Sequence, residues 1–511
     1  MKKILALLLV SSLAISCKDD FLKLTPRDSV SPGNFFQTES QFRQAVNAAY
    51  TPMRSLLDND YFTGETRSDN THYEFAPGNR GTAMVQRENI ADFLDDPTNA
   101  YTNAVYYHCY SSISKANVVI ERLPASTVAE PAKNLLDGEA KFLRAWNYFR
   151  LVRYFGGVPL YLTEVKTADE AFLPRATVEQ VYTQIISDAT DAIAKLPVPA
   201  KFPQSGTATK GSATMLLAEV YIVQKKWAEA ETLLNTLPQM GYQLLQNYAD
   251  VFSTAHKNSR ESIFEVQFLE GLQGGQQSNF VYQFLPRTQN TSLITGVVTN
   301  NTGGGGWNTP TQDLINSYEP DDKRLDASIG IAEGTYNTSS HLSISAKKSV
   351  VGYTPAAGKI GVPYIKKVLN SHANPNNTND NWPIYRYAEA LLLLAEAQNE
   401  QGKTNEAMDN LNQVRVRAGL IRTKDASQSA LRDIIMHERR VELAFENKRW
   451  LDLVRTGKAI TVMNAYGVWA KTKYTYLPAD SYNVTQNRVL FPIPQAEREI
   501  NPQLTQNPGY F

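Results

Sequence analysis

Two stretches of the chain combine residue types that could hold a polar ligand with flat apolar faces, such as a sugar ring. Aromatic rings cover C–H faces, while carboxylate, amide and guanidinium groups bond hydroxyls. Tyr61 to Arg80 holds Tyr61, Arg67, Asp69, Asn70, Tyr73 and Arg80, and Asn279 to Asn308 holds Tyr282, Phe284 and Trp307 amid Asn, Gln and Gly. The same residue types also pack loops onto a scaffold. If Tyr61 and Tyr73 face a ligand, removing both should weaken binding by about 1 kcal/mol or more and leave the melting temperature nearly unchanged.

Catalytic and metal patterns are weak. Glycoside hydrolysis needs two carboxylates facing each other across about 5 to 9.5 Å. The adjacent Asp95-Asp96 raises that reading, but nothing marks a facing pair. Gly402-Lys403-Thr404 resembles the end of a phosphate loop, yet Ala397 stands where the first glycine is required, so it reads as a hairpin turn. His437-Glu438 lacks a second histidine at Val441, and six scattered histidines without Cys-x-x-Cys give no metal cluster. No Gly-x-Ser-x-Gly elbow occurs. No catalytic residue, metal or cofactor is expected.

The first residues bear on location. Lys2 and Lys3 precede an apolar run from Ile4 to Ile15, with Ala14 and Ser16 before Cys17. That is the layout of a secretory signal peptide, too short to span a bilayer. Leu13-Ala14-Ile15-Ser16-Cys17 resembles a bacterial lipobox, in which the cysteine is acylated after cleavage, although Ala14 stands where leucine is usual. Lys18-Asp19-Asp20 resembles the export tag that sends lipoproteins of Bacteroidetes to the outer face of the outer membrane. Residues 1–16 are thus read as signal peptide and 17–38 as a lipid-anchored tether. The 495 residues left carry a formal charge of −2, since the leader takes two lysines and no acid. There is no basic field for nucleic acid. Cys109 is the one further cysteine, so no internal disulfide forms. It falls on a helical stripe with Val105, Ile113, Ala116, Ile120 and Leu123 and reads as a buried thiol.

Residues 39–511 read as a single, mainly helical domain. Amphipathic helices are expected over Glu39–Leu57, Asn99–Leu123, Pro131–Tyr154 and Thr177–Leu196. Hairpins follow at Lys210–Leu237 and Tyr385–Ala418, then helices at Ser427–Glu446 and Lys448–Thr456. This places a scaffold at about 39–240 and 382–460. A loop-rich ligand region with short β-like runs, Ser262–Leu269 and Asn279–Leu285, covers 241–381, and a C-terminal loop segment covers 461–511. The two hairpins repeat at an offset of 177. Leu216-Leu217-Ala218-Glu219 matches Leu393-Leu394-Ala395-Glu396, Glu229-Ala230 matches Glu406-Ala407, and Leu234-Asn235 matches Leu411-Asn412. The spacing is similar to a tetratricopeptide unit, whose single apolar face must be covered by a stacked neighbour.

Four segments in order resemble the SusD/RagB family. They are Gly138–Ala145 running on to Tyr154-Phe155-Gly156-Gly157-Val158-Pro159-Leu160; Trp307–Thr311 with Tyr318–Arg324; Glu438–Leu453; and Pro492-Ile493-Pro494, Glu497, Glu499, Asn501-Pro502 and Gln506–Tyr510. Asn447 replaces the usual glycine there, which asks for a residue tolerant of a left-handed backbone. Glu438, Glu442 and Glu446, with arginines 439, 440 and 449 nearby, read as ion pairs tying a helix to its neighbours, with Leu443 and Phe445 packed. The resemblance implies a tetratricopeptide-like scaffold, display on the cell exterior and no catalysis. It implies a lid over a SusC-like TonB-dependent transporter that captures glycans or other oligomeric nutrients such as peptides. A surface glycoside hydrolase and a periplasmic protein-binding scaffold are the rival readings.

Overall fold

The computed structural model describes residues 35–271, 275–424 and 426–510. Cys17, the leader and the tether as far as residue 34 lie outside the described residues. Helix α1 (Glu39–Tyr61) starts where the Thr38 hydroxyl accepts from the Gln41 N–H and the Gln41 side chain answers the Thr38 N–H, a capping box. Its buried stripe of Phe42, Val46, Ala49, Met53 and Leu57 runs on into a π-helical turn, Phe62–Thr66. After α2 (Thr82–Ala91), helix α3 (Ala100–Arg122) buries Val105, Cys109, Ile113 and Ala116 against α1. The Cys109 thiol is free and fully buried.

Helix α4 (Glu130–Phe155) is buried on most of its circumference, and Gly138 is the point of close approach. A Cβ there would lie 3.0 Å from the Leu196 side chain. Gly156, at φ +73°, stops the helix, and Pro159 follows in a segment without regular structure. Helices α5 (Val178–Lys195), α6 (Lys210–Val223) and α7 (Trp227–Leu234) each pack on the one before.

The chain then leaves the scaffold. Strand β2 (Ser262–Val266) departs and β7 (Trp382–Arg386) returns antiparallel to it. Between them lie short helices α8 (Phe280–Phe284), α9 (Ser292–Thr295), α10 (Gln312–Ser317) and α11 (Lys323–Ser328). Strands β4 (Ile329–Tyr336), β5 (Leu342–Ser349) and β6 (Ile360–Ile365) form an antiparallel sheet in the order β5-β4-β6. The β-like reading of Asn279–Leu285 gives way to α8. Phe280, Val281, Phe284 and Leu285 are all buried, and their spacing suits one helical face, so packing overrides the strand propensity of aromatic and β-branched residues.

The second hairpin, α12 (Tyr387–Glu400) and α13 (Thr404–Arg417), stacks on the first through α7. The repeats, distant in sequence, are therefore neighbours in space. Ala230 and Ala407, the small residues of the repeat, are both fully buried. The repeated glutamates are both caught by arginines: Arg153 binds Glu219 at 2.7 Å and Arg455 binds Glu396 at 2.5 Å. Gly402, at φ +78°, makes the expected turn.

Helix α14 (Gln428–Glu442) ends four residues before the expected boundary, because Phe445 and Asn447 adopt φ of +70° and +62°. The left-handed Asn447 is what the sequence called for. Helices α15 (Arg449–Arg455), α16 (Ala459–Lys473) and α17 (Gln495–Ile500) follow. Residues 461–511 are thus not a loop segment throughout. The buried stripe of α16 is Ala459, Met463, Tyr466, Gly467 and Ala470. A Cβ on Gly467 would meet Tyr482 at 2.3 Å, so small residues replace the apolar ones that announce a helix.

A buried ion network locks the loop-rich region to α14. Arg324 reaches Asp322 at 2.8 Å, Glu438 at 2.5 Å and Glu442 at 3.0 Å. Arg386 reaches Glu442 at 2.5 Å and Glu446 at 2.7 Å, Arg417 bridges Glu261 and Glu442, and Lys367 binds Glu446 at 2.8 Å. The acids of α14 thus pair with cations from other elements. Arg439 turns to Asp452, and Arg440 and Arg449 turn to Asp69.

Candidate functional site

A two-residue ribbon brings the two ligand-like stretches together. Strand β1 (Thr71–His72) pairs antiparallel with β3 (Thr309–Pro310), and the Glu74 N–H donates to the Gly306 carbonyl at 2.7 Å. Glu74 in turn accepts the Arg287 N–H at 2.9 Å. Burial pushes its carboxyl up to about 7, against the pull of that hydrogen bond.

Of the nine side chains expected to face a ligand, the structure leaves Arg80 alone at the surface, paired with Glu88 at 2.7 Å and lying over the Phe75 ring. The other eight are buried and have structural partners. The Tyr61 hydroxyl donates to Gln283 at 2.5 Å, and its ring meets Phe284 edge-on at 4.9 Å. Arg67 is fully buried between the Phe93 and Phe491 rings and bound to Asp95 at 2.5 Å. Burial alone would raise the Asp69 carboxyl, but Arg449 and Arg440 bring it down to about 2. Asn70 donates to Glu65 and accepts from Arg440, both at 2.9 Å. Tyr73 donates to Asp92 at 2.8 Å, and the Tyr282 hydroxyl meets His372 at 2.7 Å. Trp307 stands edge-on to Phe62 at 5.9 Å. A loop-rich segment has few ladder bonds of its own, so side chains must fix it to the scaffold.

Tyr61, Phe284 and Trp307 nevertheless share one aromatic cluster through Phe62, and its outer layer has a different character. Arg87, on α2, lies 4.4 Å over the Trp307 ring, 4.8 Å over Tyr101 and 5.8 Å over Phe62. Arg87 and Tyr101 are half-buried. Among the described residues Arg87 has no ion pair and no hydrogen bond, and its Nε is buried without an acceptor. The Trp307 indole N–H beneath it has no acceptor, and the Asn308 amide is unpartnered at both atoms. Partnerless buried polar atoms also occur at Arg67, Glu389 and Arg417, so what sets this place apart is the half-buried guanidinium stacked on rings. An aromatic floor, a free guanidinium and unmet N–H donors can bind the faces and hydroxyls of a sugar.

Sequence reasoning missed Arg87, Tyr101 and Asn308. Arg87 falls between expected helices, in α2, whose buried residues Met84, Glu88, Ile90 and Ala91 include an acid and form no clear apolar stripe. The signal at hand was Asn308, beside Trp307 in a patterned segment. Asp95 and Asp96 do not face each other: Asp95 is bound to Arg67, while Asp96 accepts from the Thr98 N–H at 2.7 Å. Among the described residues no group of His, Cys, Asp and Glu is arranged to hold a metal, and no helix is long and apolar enough to cross a membrane.

Comparison with known proteins agrees with the architecture. A family model described as "SusD family" matches residues 260–510, and one described as "Starch-binding associating with outer membrane" matches residues 20–222. SusD-like protein P2 of Formosa agariphila is 28% identical, with 97% of each chain covered. A SusD-like protein of Bacteroides ovatus is 25% identical over 88% of this chain and 82% of its own. Among solved structures, a laminarin-binding SusD-like protein is 26% identical, with a TM-score of 0.74 over 93% of this chain and 100% of its own. With a mainly helical scaffold, stacked hairpins and a loop-rich second half held to them by buried ion pairs, the chain belongs to the SusD-like family.

Proposed function

We propose that this protein is a glycan-binding lipoprotein of the outer membrane, facing the cell exterior, that captures oligosaccharides for a SusC-like TonB-dependent transporter. Cys17 carries the acyl anchor in this reading. The observation that carries the binding role is Arg87, a guanidinium with no counter-charge stacked on Phe62, Tyr101 and Trp307 above an indole N–H without an acceptor. Its side chain is the displaceable cover of the aromatic floor. A sugar entering beside it trades stacking for its own C–H faces and supplies hydroxyls to the guanidinium and indole donors. The names of the relatives support the same class of ligand, one of them being described as laminarin-binding.

Calorimetry with a panel of neutral oligosaccharides, laminarin-derived ones included, tests this. Arg87→Ala and Tyr101→Ala should each weaken the best ligand about tenfold, equivalent to about 1.4 kcal/mol. Unchanged affinity in both variants would move the site elsewhere. Binding of oligopeptides in place of every glycan would reassign the nutrient. Detergent partition tests the anchor: Cys17→Ala should leave the membrane phase while Cys109→Ala stays in it. The transporter should co-purify under gentle extraction, since permanent complexes commonly bury about 2,000 Å² or more.

A further inference from the structure

A cavity of about 360 Å³ opens farther along α3, away from Arg87. Tyr106, Tyr107 and Tyr110 of α3 form one wall, Tyr161 and Phe172 a second, and Glu497 of α17 the third. The walls are preset. The Tyr110 hydroxyl donates to the Pro159 carbonyl at 2.7 Å and the Tyr161 hydroxyl to the Ala171 carbonyl at 2.6 Å. The Asn117 amide holds the Tyr161 carbonyl at 3.0 Å. Both phenols therefore spend their protons on the backbone and leave their rings to the cavity.

Glu497 is the one acid lining this cavity, and it has no ion pair or hydrogen-bond partner among the described residues. The nearby cations are committed elsewhere. Arg175 donates to the carbonyls of Phe155 and Gly157, and Arg498 to that of Leu504. Burial pushes the Glu497 carboxyl above its ordinary range, and its charge adds to the burial that raises the Tyr106 and Tyr161 phenols. A carboxylate drawn into apolar surroundings without a partner is costly. Buried acids elsewhere in the fold have a cation or hydrogen-bond donors, as Glu442 has Arg386 and Glu65 has Asn70 with the Phe445 and Asn447 N–H groups. At the mouth, Tyr107 is 62% exposed, Ile500 66% and Val165 45%, which gives an apolar rim around a negative interior.

We propose that this cavity is a binding site for an organic ammonium with an apolar body, held by aromatic faces around the cation and by the Glu497 carboxylate. Aromatic rings attract cations through their negative faces, and the carboxylate supplies the counter-charge that no protein group provides. The apolar rim takes the uncharged part of the ligand. This site is independent of the glycan reading, since its ligand is charged and it shares none of the Arg87 cluster.

Saturation-transfer NMR and calorimetry on the soluble mature chain, with benzyltrimethylammonium and choline as probes, decide it. The expected result is that both cations bind and that 3,3-dimethylbutan-1-ol, the uncharged carbon counterpart of choline, binds at least tenfold more weakly. Glu497→Gln should cost benzyltrimethylammonium at least tenfold and Tyr107→Ala several-fold, with the melting temperature of each variant checked. Because Tyr107 is largely exposed, its variant keeps the test valid should Glu497→Gln unfold. Equal binding of choline and the alcohol, no binding of either cation, or full affinity in folded Glu497→Gln or in Tyr107→Ala overturns the proposal.

Discussion

Around α14 the side chains of Arg324, Arg386, Arg417 and Lys367 are all buried and all bound to carboxylates. Above Trp307, Arg87 is half-buried and bound to none. Both places place arginine among aromatic rings, since Arg386 and Arg417 also lie near Phe252 and Tyr248. The difference lies in the counter-charge. A guanidinium met by two or three carboxylates has one arrangement and fixes the elements that bring them. A guanidinium met only by rings keeps its N–H donors for whatever arrives. In this molecule the paired arginines around α14 hold the scaffold together, and Arg87, stacked on rings without a carboxylate, is the one the proposed glycan site uses.

Breaking the network gives the largest effect. Arg386→Met takes a buried cation from Glu442, Glu446 and Glu261, leaving them only Arg324, Arg417 and Lys367. Removing one member of a buried pair costs about 3 to 5 kcal/mol. Urea denaturation of Arg386→Met should show a loss of that size or failure to fold. A midpoint close to the parent would mean the network does not hold the loop-rich half to α14.

Acid breaks the same pairs more gently. Asp69 titrates at about 2 in the fold and near the ordinary carboxylate value when unfolded. Its contribution is complete above about pH 4 and is lost as pH falls toward 2, amounting to about 2 to 3 kcal/mol. Glu442 and Asp452 are also held well below the ordinary range, their arginines outweighing burial, and they act in the same window. Acids with raised carboxyls, such as Asp92, gain stability over the same range, so the loss is read as the gap between the parent and Asp69→Asn, which should narrow from pH 7 to pH 3. A gap that stays constant would show that Asp69 gains nothing from its arginines.

Arg87 sharpens the contrast from the other side. Arg87→Gln gives up stacking on three rings but strands no carboxylate and removes an unsatisfied Nε. Its stability should stay within about 1 kcal/mol of the parent, while glycan affinity falls. A loss comparable to that of Arg386→Met would place Arg87 in the scaffold.

The contrast also explains what could be read from the sequence. The Gly156-Gly157 stop is set by backbone sterics in a short window and the repeat at an offset of 177 by the periodicity of each copy, whereas the left-handed Asn447 follows from the family resemblance. Tyr61, Asp69 and Tyr73 look like ligand groups in the sequence because tyrosine, aspartate and arginine in a loop look the same whether they meet a sugar or a buried partner. Their partners, Gln283, Arg449 and Asp92, stand 222, 380 and 19 residues away, beyond any local pattern. Arg87 was missed for the converse reason: what distinguishes it is the lack of a partner, which only the assembled structure displays.

Tyr73→Phe makes the smallest change and separates the two roles most cleanly. Burial pushes the Asp92 carboxyl up to about 8; the Tyr73 phenol pulls it down and the charge of Glu88 pushes it up. Asp92 therefore holds its proton in the fold up to about pH 8, whereas unfolded it loses it near pH 4. Stability due to this group is greatest below about pH 4 and declines as pH rises through 8. Without the phenol the carboxyl moves higher still, and the decline continues beyond pH 8. The variant should thus differ less from the parent near pH 5 and fall about 1.5 kcal/mol or more below it by pH 9, the size of one hydrogen bond to a charged group. Melting temperatures across pH 5 to 9 read this directly, and calorimetry at pH 7 should find glycan affinity unchanged. The reverse outcome, weaker glycan binding with an unaltered melting profile, would make Tyr73 a ligand group after all and would break the division between partnered scaffold and unpartnered site.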